Sequence, residues 1–266
     1  MAVSAYREVF KRTEIKYLIN EEQYRALMPC LERMAKVDEY GLSRINNIYY
    51  DTRDYRLVRT SMEKPLYKEK LRLRTYGATA DGTNAFVEIK KKYDGTVYKR
   101  RISGKYREMY EQLSEQEADL GPGQIAREIE AFIRRYEKLV PAMTICYDRV
   151  AMAGTIDPDF RVTFDTNIEW NSACRDLRHL LPGRGLLKPG QYLMEIKISN
   201  AFPMELAQTL SELRIFPTSF SKYGAGYADM LIGIRESVPG KVPAVRERKQ
   251  ERRRPRRQLE GGMVYV

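Results

Sequence analysis

The sequence predicts an α+β fold: an antiparallel β-barrel closed on itself, with helices packed on its outer face. Two observations carry this prediction. Lys70-Leu71-Arg72-Leu73-Arg74 alternates cation and leucine without a break, the period-2 signature of a strand with two unlike faces. The pattern returns in Val87-Glu88-Ile89-Lys90-Lys91-Lys92, Arg161-Val162-Thr163-Phe164-Asp165 and Met194-Glu195-Ile196-Lys197-Ile198, and more weakly in Arg12-Thr13-Glu14-Ile15-Lys16. One such strand alone reads as a sheet with a solvated outer face. Several of them side by side stack like charges that repel. The second observation is that segments with apolar residues at helical spacing separate the strands and can cover their apolar faces. The charged faces then line a lumen, where uncompensated cations are too costly unless an anion fills it. The ligand implied is a polyanion.

Each element has its own signal. Glu8 to Ile19 reads as the first strand, and Asn20 followed by Gln23 forms a helix-capping pair ahead of Tyr24, Leu27, Met28, Leu31 and Met34, so a helix is expected to about Lys36. A strand at Ile45–Tyr50 leads to a short helix over Tyr55, Leu57, Val58 and Met62, closed by Pro65. Tyr67–Tyr76 is the cationic strand, and Asn84–Tyr93 pairs with Thr96–Ile102 across the two-residue turn Asp94-Gly95. Lys105–Leu120 reads as a polar helix, and Gly121-Pro122-Gly123 breaks the chain before a helix over Ile125, Ile129, Ile133 and Tyr136. Strands are expected at 142–152, 160–168 and 191–199. Pro203 opens a helix through Leu206, Leu210 and Leu213, and Ser219–Ile234 begins as a loop and ends as a helix.

At 266 residues and 43% hydrophobic content the chain can build one sizeable core, so residues 1–240 are read as one domain and 241–266 as a basic tail. Of the net charge of +11, nine Lys/Arg against three Asp/Glu from Lys241 to Val266 place +6 in that tail, leaving +5 elsewhere. The facing of the strand charges is therefore more informative than their sum. Cys30, Cys146 and Cys174 lack metal or redox spacing and read as reduced thiols in a cytosolic protein. The single His179 excludes a histidine metal cluster. No apolar run approaches a membrane span or a signal-peptide core. The stretch Arg246–Arg257 cannot bury apolar surface; it is expected to be disordered when free and to tether the protein to an anionic surface or partner.

Phosphate-loop, dinucleotide, serine-hydrolase and zinc-protease motifs are all missing. Phosphate chemistry has to come from the charged strands. The carboxylates among the cations, Glu14, Glu88, Asp165 and Glu195, would repel a polyanion unless a divalent ion bridges them to it, as expected of Mg²⁺ or Mn²⁺ held by one or two carboxylates plus phosphates.

Arg12-x-Glu14-x-Lys16-Tyr17, Ile48-Tyr49-Tyr50-Asp51-Thr52, Leu71-Arg72-Leu73-Arg74, Val87-Glu88-Ile89-Lys90, Tyr147-Asp148-Arg149 with Arg161 twelve residues on, Leu193-Met194-Glu195-Ile196-Lys197 and Phe220-Ser221-Lys222-Tyr223 follow one another in a fixed order. Together they resemble the VTC polyphosphate polymerase domain of the triphosphate tunnel metalloenzymes, over roughly residues 6–235. The resemblance implies a tunnel barrel that takes ATP, transfers its γ-phosphoryl group to a growing inorganic polyphosphate chain and uses a divalent cation, commonly Mn²⁺. It implies phosphate-binding roles for Lys16, Arg72, Arg74, Lys90, Arg149 and Arg161, a metal-ligand role for Glu195, and further phosphate contacts from Tyr147, Ser221 and Lys222. Ser219 departs from the pattern, since eukaryotic members carry lysine there.

By strand alternation Arg12, Lys70, Lys92 and Lys197 join the substrate-binding set, and Glu14 joins Glu195 as a metal ligand. As a plain salt bridge Glu195 would instead pair with Lys197 or Arg161. Arg74→Ala is expected to weaken binding with little loss of stability, because an interior cation repels its neighbours. Related tunnel triphosphatases and nucleotidyl cyclases begin with E-x-E-x-K. Here Arg12 replaces the first glutamate, which removes a metal ligand, adds a phosphate contact and tilts the reading toward a polymerase. A non-catalytic polyphosphate or inositol-phosphate binding module would gain nothing from Glu14 and Glu195. Nucleic-acid binding rests mainly on the tail, and no sequence-specific nucleic-acid motif is present.

Overall fold

A computed structural model describes residues 13–237 apart from 95, 116, 117, 137 and 200; Arg12 and the basic tail lie outside the described residues. The chain runs β1 (Thr13–Asn20), α1 (Glu21–Met34), β2 (Ala35–Thr52), α2 (Arg56–Met62), β3 (Tyr67–Tyr76), β4 (Asn84–Tyr93), β5 (Thr96–Lys105), α3 (Tyr106–Gln112), α4 (Gln124–Arg135), β6 (Leu139–Gly154), β7 (Arg161–Asn171), β8 (Arg184–Gly185), β9 (Gln191–Ile198), α5 (Met204–Glu212) and α6 (Lys222–Ser237). Asn20 caps α1 as its sequence implies: its side chain accepts from the Gln23 N–H at 2.8 Å, and the Gln23 side chain accepts from the Asn20 N–H at 3.1 Å. None of the described helices is long and apolar enough to cross a membrane.

The strands form a single antiparallel sheet in the order β1-β9-β7-β6-β2-β3-β4-β5, with β8 paired to β7. The sheet of the described residues is not closed into the expected barrel. Among the described residues β1 pairs within the sheet only with β9, and β5 only with β4, so no ladder joins the two ends. Non-strand chain and side chains link the two halves of the sheet across its concave face. The stretch before α6 meets β1, with the Thr218 N–H donating to the Lys16 carbonyl at 2.7 Å and a bridge between Tyr17 and Pro217. From the same stretch, Ser221 Oγ accepts from Lys70 Nζ of β3 at 2.8 Å.

Antiparallel partners share a face, so the register sorts the charges. Leu71, Leu73, Val87 and Ile89 point to the outer face and are fully buried there with α3 and α4 residues Tyr106, Ile129 and Phe132. Tyr17, Ile19, Val162, Phe164, Met194 and Ile196 are buried with Leu27 and Leu31 of α1 and Leu206 and Leu210 of α5. Each such side chain contributes about 1.5–3 kcal/mol by leaving water. The inner face is not charged throughout. Ile45, Tyr49, Met143, Ile145, Tyr147, Ile168, Trp170 and Leu193 form a third cluster with Tyr223 and Tyr227 of α6, so α6 lies against part of the concave face.

β2 is far longer than the expected strand at Ile45–Tyr50. Its first half pairs with the end of β6 through a register shift between Val37 and Leu42, where Gly41 takes a φ of 52°. The expected helix from Lys105 to Leu120 stops at Gln112, because the chain doubles back: the Asp119 N–H donates to Gln112 Oε1, and Ala118 and Leu120 join the core under α4.

Candidate functional site

Two charged walls face each other across the concave side. On the first, Arg72 of β3 reaches Glu88 of β4 at 2.6 Å, and Lys99 of β5 reaches the other oxygen of the same carboxylate at 2.6 Å. Glu88 is only 1% exposed. Arg72 also donates to the Tyr49 hydroxyl at 3.1 Å, while Arg74 donates to Asn47 Oδ1 at 2.9 Å and to the Tyr147 hydroxyl at 3.1 Å. On the second wall Arg149 of β6 holds Asp165 of β7 through two hydrogen bonds of 2.6 and 2.7 Å, and Lys222 at the start of α6 sits 2.5 Å from Asp165 and 3.3 Å from Glu195. Lys16 of β1 lies 3.2 Å from Glu195 and 3.5 Å from Glu14, and donates to the Phe220 carbonyl at 3.0 Å. Lys90 joins the walls by pairing with Glu14 at 3.4 Å.

α6 supplies Lys222 and Ser221 because its first turn enters the lumen. Ser221 caps it, accepting the Gly224 N–H on Oγ at 3.1 Å and the Ala225 N–H on its carbonyl at 2.7 Å. Tyr223, next in sequence, stacks on Tyr49 with ring centroids 4.5 Å apart and donates to the buried Asp51 at 2.8 Å. Asp51 also accepts the Leu57 and Val58 N–H groups of α2. One carboxylate thus fixes both helices beneath the lumen.

The electrostatics follow from crowding in a dry interior. Burial opposes ionisation of Glu195, yet Lys222, Lys16 and Arg149 outweigh it and hold the carboxyl well below the ordinary range. Glu14, Asp165 and Glu88 are lowered in the same manner, against burial, by Lys90, by Lys222 with Arg149, and by Arg72 with Arg74 and Lys99 respectively. Burial brings Lys70 down to about 8, with Lys90, Lys16 and Lys68 adding to the effect against Tyr49. Burial likewise brings Lys99 down to about 8 although Glu88 opposes it. Burial would raise the Tyr49 phenol, but Arg72 and Lys70 draw it down to about 8. The space between Tyr49, Lys70, Arg72, Glu88, Lys90 and Lys99 is only about 30 Å³, the share of about one water. An entering polyanion therefore has to take over cations now held by the carboxylates.

The structure brings together Lys16, Lys70, Arg72, Arg74, Lys90, Tyr147, Arg149, Ser221, Lys222, Glu14 and Glu195. Lys197 shares their face, opposite Glu14 and Arg161. Arg161 stands at the rim, half exposed and paired with Asp38 at 2.9 Å, and Lys92 lies farther along β4, opposite Lys68. The alternative partners of Glu195, Lys197 and Arg161, are not the ones it contacts. Arg74 is 5% exposed and donates to Asn47 and Tyr147, which argues that its removal costs stability, against the expectation drawn from repulsion alone. Its absence would strand Asn47 and the Tyr147 hydroxyl in the interior.

Lys99, Arg101 and Asn47 were not singled out from the sequence, and Tyr49 entered only within the Ile48–Thr52 motif, with no role given. Tyr98-Lys99-Arg100-Arg101 carries charge on both faces and breaks the alternation, yet the hairpin register contained the answer. With Tyr93 opposite Thr96, Lys99 must face Lys90 and Arg101 must face Glu88. Among the described residues no group of three or more His, Cys, Asp or Glu could hold a metal. Glu14 and Glu195, both on Lys16, offer hard oxygen donors, and the buried Thr163 hydroxyl, opposite Glu195 in the register, has no hydrogen-bond partner among the described residues. This set fits a divalent ion that draws its remaining ligands from phosphate oxygens and water.

A structure from Bacillus halodurans, described as a candidate adenylate cyclase, matches with a TM-score of 0.50 at 14% identity, covering 80% of this chain and 94% of that one. Another from Vibrio parahaemolyticus, described in the same terms, has a TM-score of 0.41 at 11% identity, covering 85% and 99%. At these identities the likeness concerns the fold alone. No curated protein matches the chain. The family model for the VTC domain matches residues 11–231, a span that runs from β1 into α6 and takes in both charged walls, and the chain belongs to the VTC domain family.

Proposed function

We propose that this protein is a polyphosphate polymerase that moves the γ-phosphoryl group of ATP onto a growing inorganic polyphosphate chain. One observation carries the reading. Cations from β1, β3, β4, β5, β6 and α6 converge on one interior, each held by a carboxylate or hydroxyl that a phosphate oxygen can replace. Phosphoryl transfer through a loose transition state needs alignment and charge neutralisation more than a protein nucleophile. Arg72, Arg74 and Lys90 would grip the phosphates from one wall, and Lys16, Arg149 and Lys222 from the other. Tyr147, under Lys222 and Arg149 at 4.6 and 5.3 Å, would hold those two cations over its ring. Glu195 and Glu14 would hold Mn²⁺ or Mg²⁺, which when bound neutralises phosphoryl oxygens.

Incubation with ATP and Mn²⁺ or Mg²⁺ tests this: polymer of increasing length should appear together with ADP. Orthophosphate without polymer under either ion would instead favour a tunnel triphosphatase. On the same reading the arginine run Arg246–Arg257 tethers the enzyme to polymer, anionic lipid or an acidic partner. Truncation after Pro239 should then alter polymer length or lipid binding.

A further inference from the structure

The β4–β5 ribbon continues past the lumen, and its outer end is built differently. There a cavity of about 350 Å³ is lined by Asn84, Phe86, Ser103, Gly104, Lys105 and Glu108, a size that accommodates a small organic ligand. By register Phe86 and Ser103 face each other on the same face of the ribbon as Glu88 and Lys90. With about 3.4 Å per residue, Phe86 is about 7 Å along β4 from Glu88 and about 14 Å from Lys90.

The chemistry changes over that distance. The Arg101 guanidinium sits 4.5 Å from the centre of the Phe86 ring, and Tyr76 meets the same ring edge-on at 5.8 Å. Phe86 is half-buried and Arg101 is exposed, so a planar group can stack on this pair from outside. Lys105 is drawn to Asn84 Oδ1 at 3.4 Å, and the Glu108 carboxylate borders the space. With Lys105 the one cation among the described lining residues, Phe86 and Glu108 are poor neighbours for a phosphate chain. They suit a nucleobase and a ribose, which offer a flat face for stacking and N–H and O–H donors for Glu108, Asn84 and Ser103.

We propose that this pocket takes the base and ribose of a nucleoside triphosphate whose phosphates occupy the lumen, with Phe86 and Arg101 as the stacking platform. The proposal rests on the reading of the lumen as a triphosphate site and adds what would distinguish a nucleotide from an inorganic chain there.

The test compares ATP with inorganic tripolyphosphate by calorimetry, without divalent ion so that no turnover intervenes. Tripolyphosphate reports on the lumen alone, and its binding should be lost in Arg72→Ala. The ratio of the ATP to the tripolyphosphate dissociation constant reports on the pocket. In Phe86→Ala that ratio should rise roughly 5- to 150-fold, the worth of one stacked base. Ser103→Leu, which fills the space beside Phe86 at an exposed position, should raise the same ratio and decides the matter if Phe86→Ala does not fold. A ratio unchanged within about twofold in a folded variant overturns the pocket while leaving the lumen in place. Failure of the wild-type protein to bind tripolyphosphate at all overturns the lumen reading and the pocket with it.

Discussion

Arg74 and Lys90 face the same lumen, yet their surroundings predict opposite behaviour on truncation. Arg74 is buried and donates to Asn47 and Tyr147, so Arg74→Ala leaves interior acceptors unmatched and should lower stability by about 1–3 kcal/mol as well as weakening triphosphate binding. Lys90, whose side chain is 40% exposed and meets Glu14 at 3.4 Å, belongs to the class of pairs worth about 0–1 kcal/mol. Lys90→Ala should therefore weaken binding with a melting temperature close to wild type, and paired thermal melts and calorimetry check the contrast. Glu195 gives a third outcome. Glu195→Gln keeps the shape but deletes the charge that balances Lys16, Lys222 and Arg149. Metal-free tripolyphosphate binding should persist or tighten while ATP turnover falls by at least about 100-fold. Retained turnover with an unchanged requirement for Mn²⁺ would remove Glu195 from the reaction. Most of these residues were legible from alternation, because a strand that exposes cations every second position declares its face. Tyr49 and Asn47 were not, since they lie in Asn46-Asn47-Ile48-Tyr49-Tyr50, where nothing in the residue types separates inner from outer. Only the pairing of Asn47 with Arg74 and Tyr49 with Arg72 assigns them.

At the scale of elements the lumen depends on how closely α6 approaches the sheet. A Cβ at Gly226 would come within 2.8 Å of Met143 Sδ and 3.1 Å of Trp170 Cβ. Met143 Sδ lies near the end of a flexible side chain, whereas Cβ of Trp170 is fixed to its strand. Gly226→Val should push the helix outward, cost about 1–3 kcal/mol and displace Ser221 and Lys222 at its start, so stability and triphosphate affinity fall together. Asn20→Ala is the control: it removes the α1 cap on the outer face, costs about 1 kcal/mol and should leave affinity alone. A Gly226→Val protein of wild-type affinity would separate α6 from the site. The elements themselves were mostly readable. Capping at Asn20, the two-residue turn after Tyr93 and the cation–leucine strand all fell where local rules put them. The long arm of β2 was not, because Lys36-Val37-Asp38-Glu39-Tyr40-Gly41-Leu42 is polar on both faces and is held by pairing with β6 rather than by burial. Barrel closure was misjudged for a related reason. Alternation says which way side chains point but is silent on whether the first and last strands meet, and here the chain between Pro217 and Ser221 bonds to β1 and, across the concave face, to Lys70 of β3.

Over the whole molecule the lumen gathers more cations than carboxylates, and that excess has a measurable pH signature. Lys70, Lys99 and Tyr49 each stand near pH 8 in the protein, against ordinary values of 10.5 for the lysines and 10.0 for the phenol. Below pH 8 the two lysines are charged and Tyr49 is neutral, so the lumen is most positive. As pH rises through 8 it loses two cations and gains a phenolate. A polyanion in the lumen favours the protonated form of all three groups and raises their pKa values, so binding near pH 8 should take up protons, about half a proton from each group. Triphosphate affinity should consequently fall as pH is raised from about 7 to 9. Calorimetry in two buffers of different ionisation enthalpy measures the uptake directly. Stability of the protein without ligand should move the other way. All three folded values lie below their unfolded ones, so between pH 8 and 9 the unfolded chain holds more protons and the melting temperature should rise with pH. Higher up, Tyr67, Tyr136 and Tyr192, raised to about 12 in the fold, ionise first in the unfolded chain and reverse the trend. Tyr49→Phe should reduce the proton uptake by about a third of its wild-type value. Affinity and stability that both fall between pH 8 and 9 would show that these three groups do not govern the charge of the lumen.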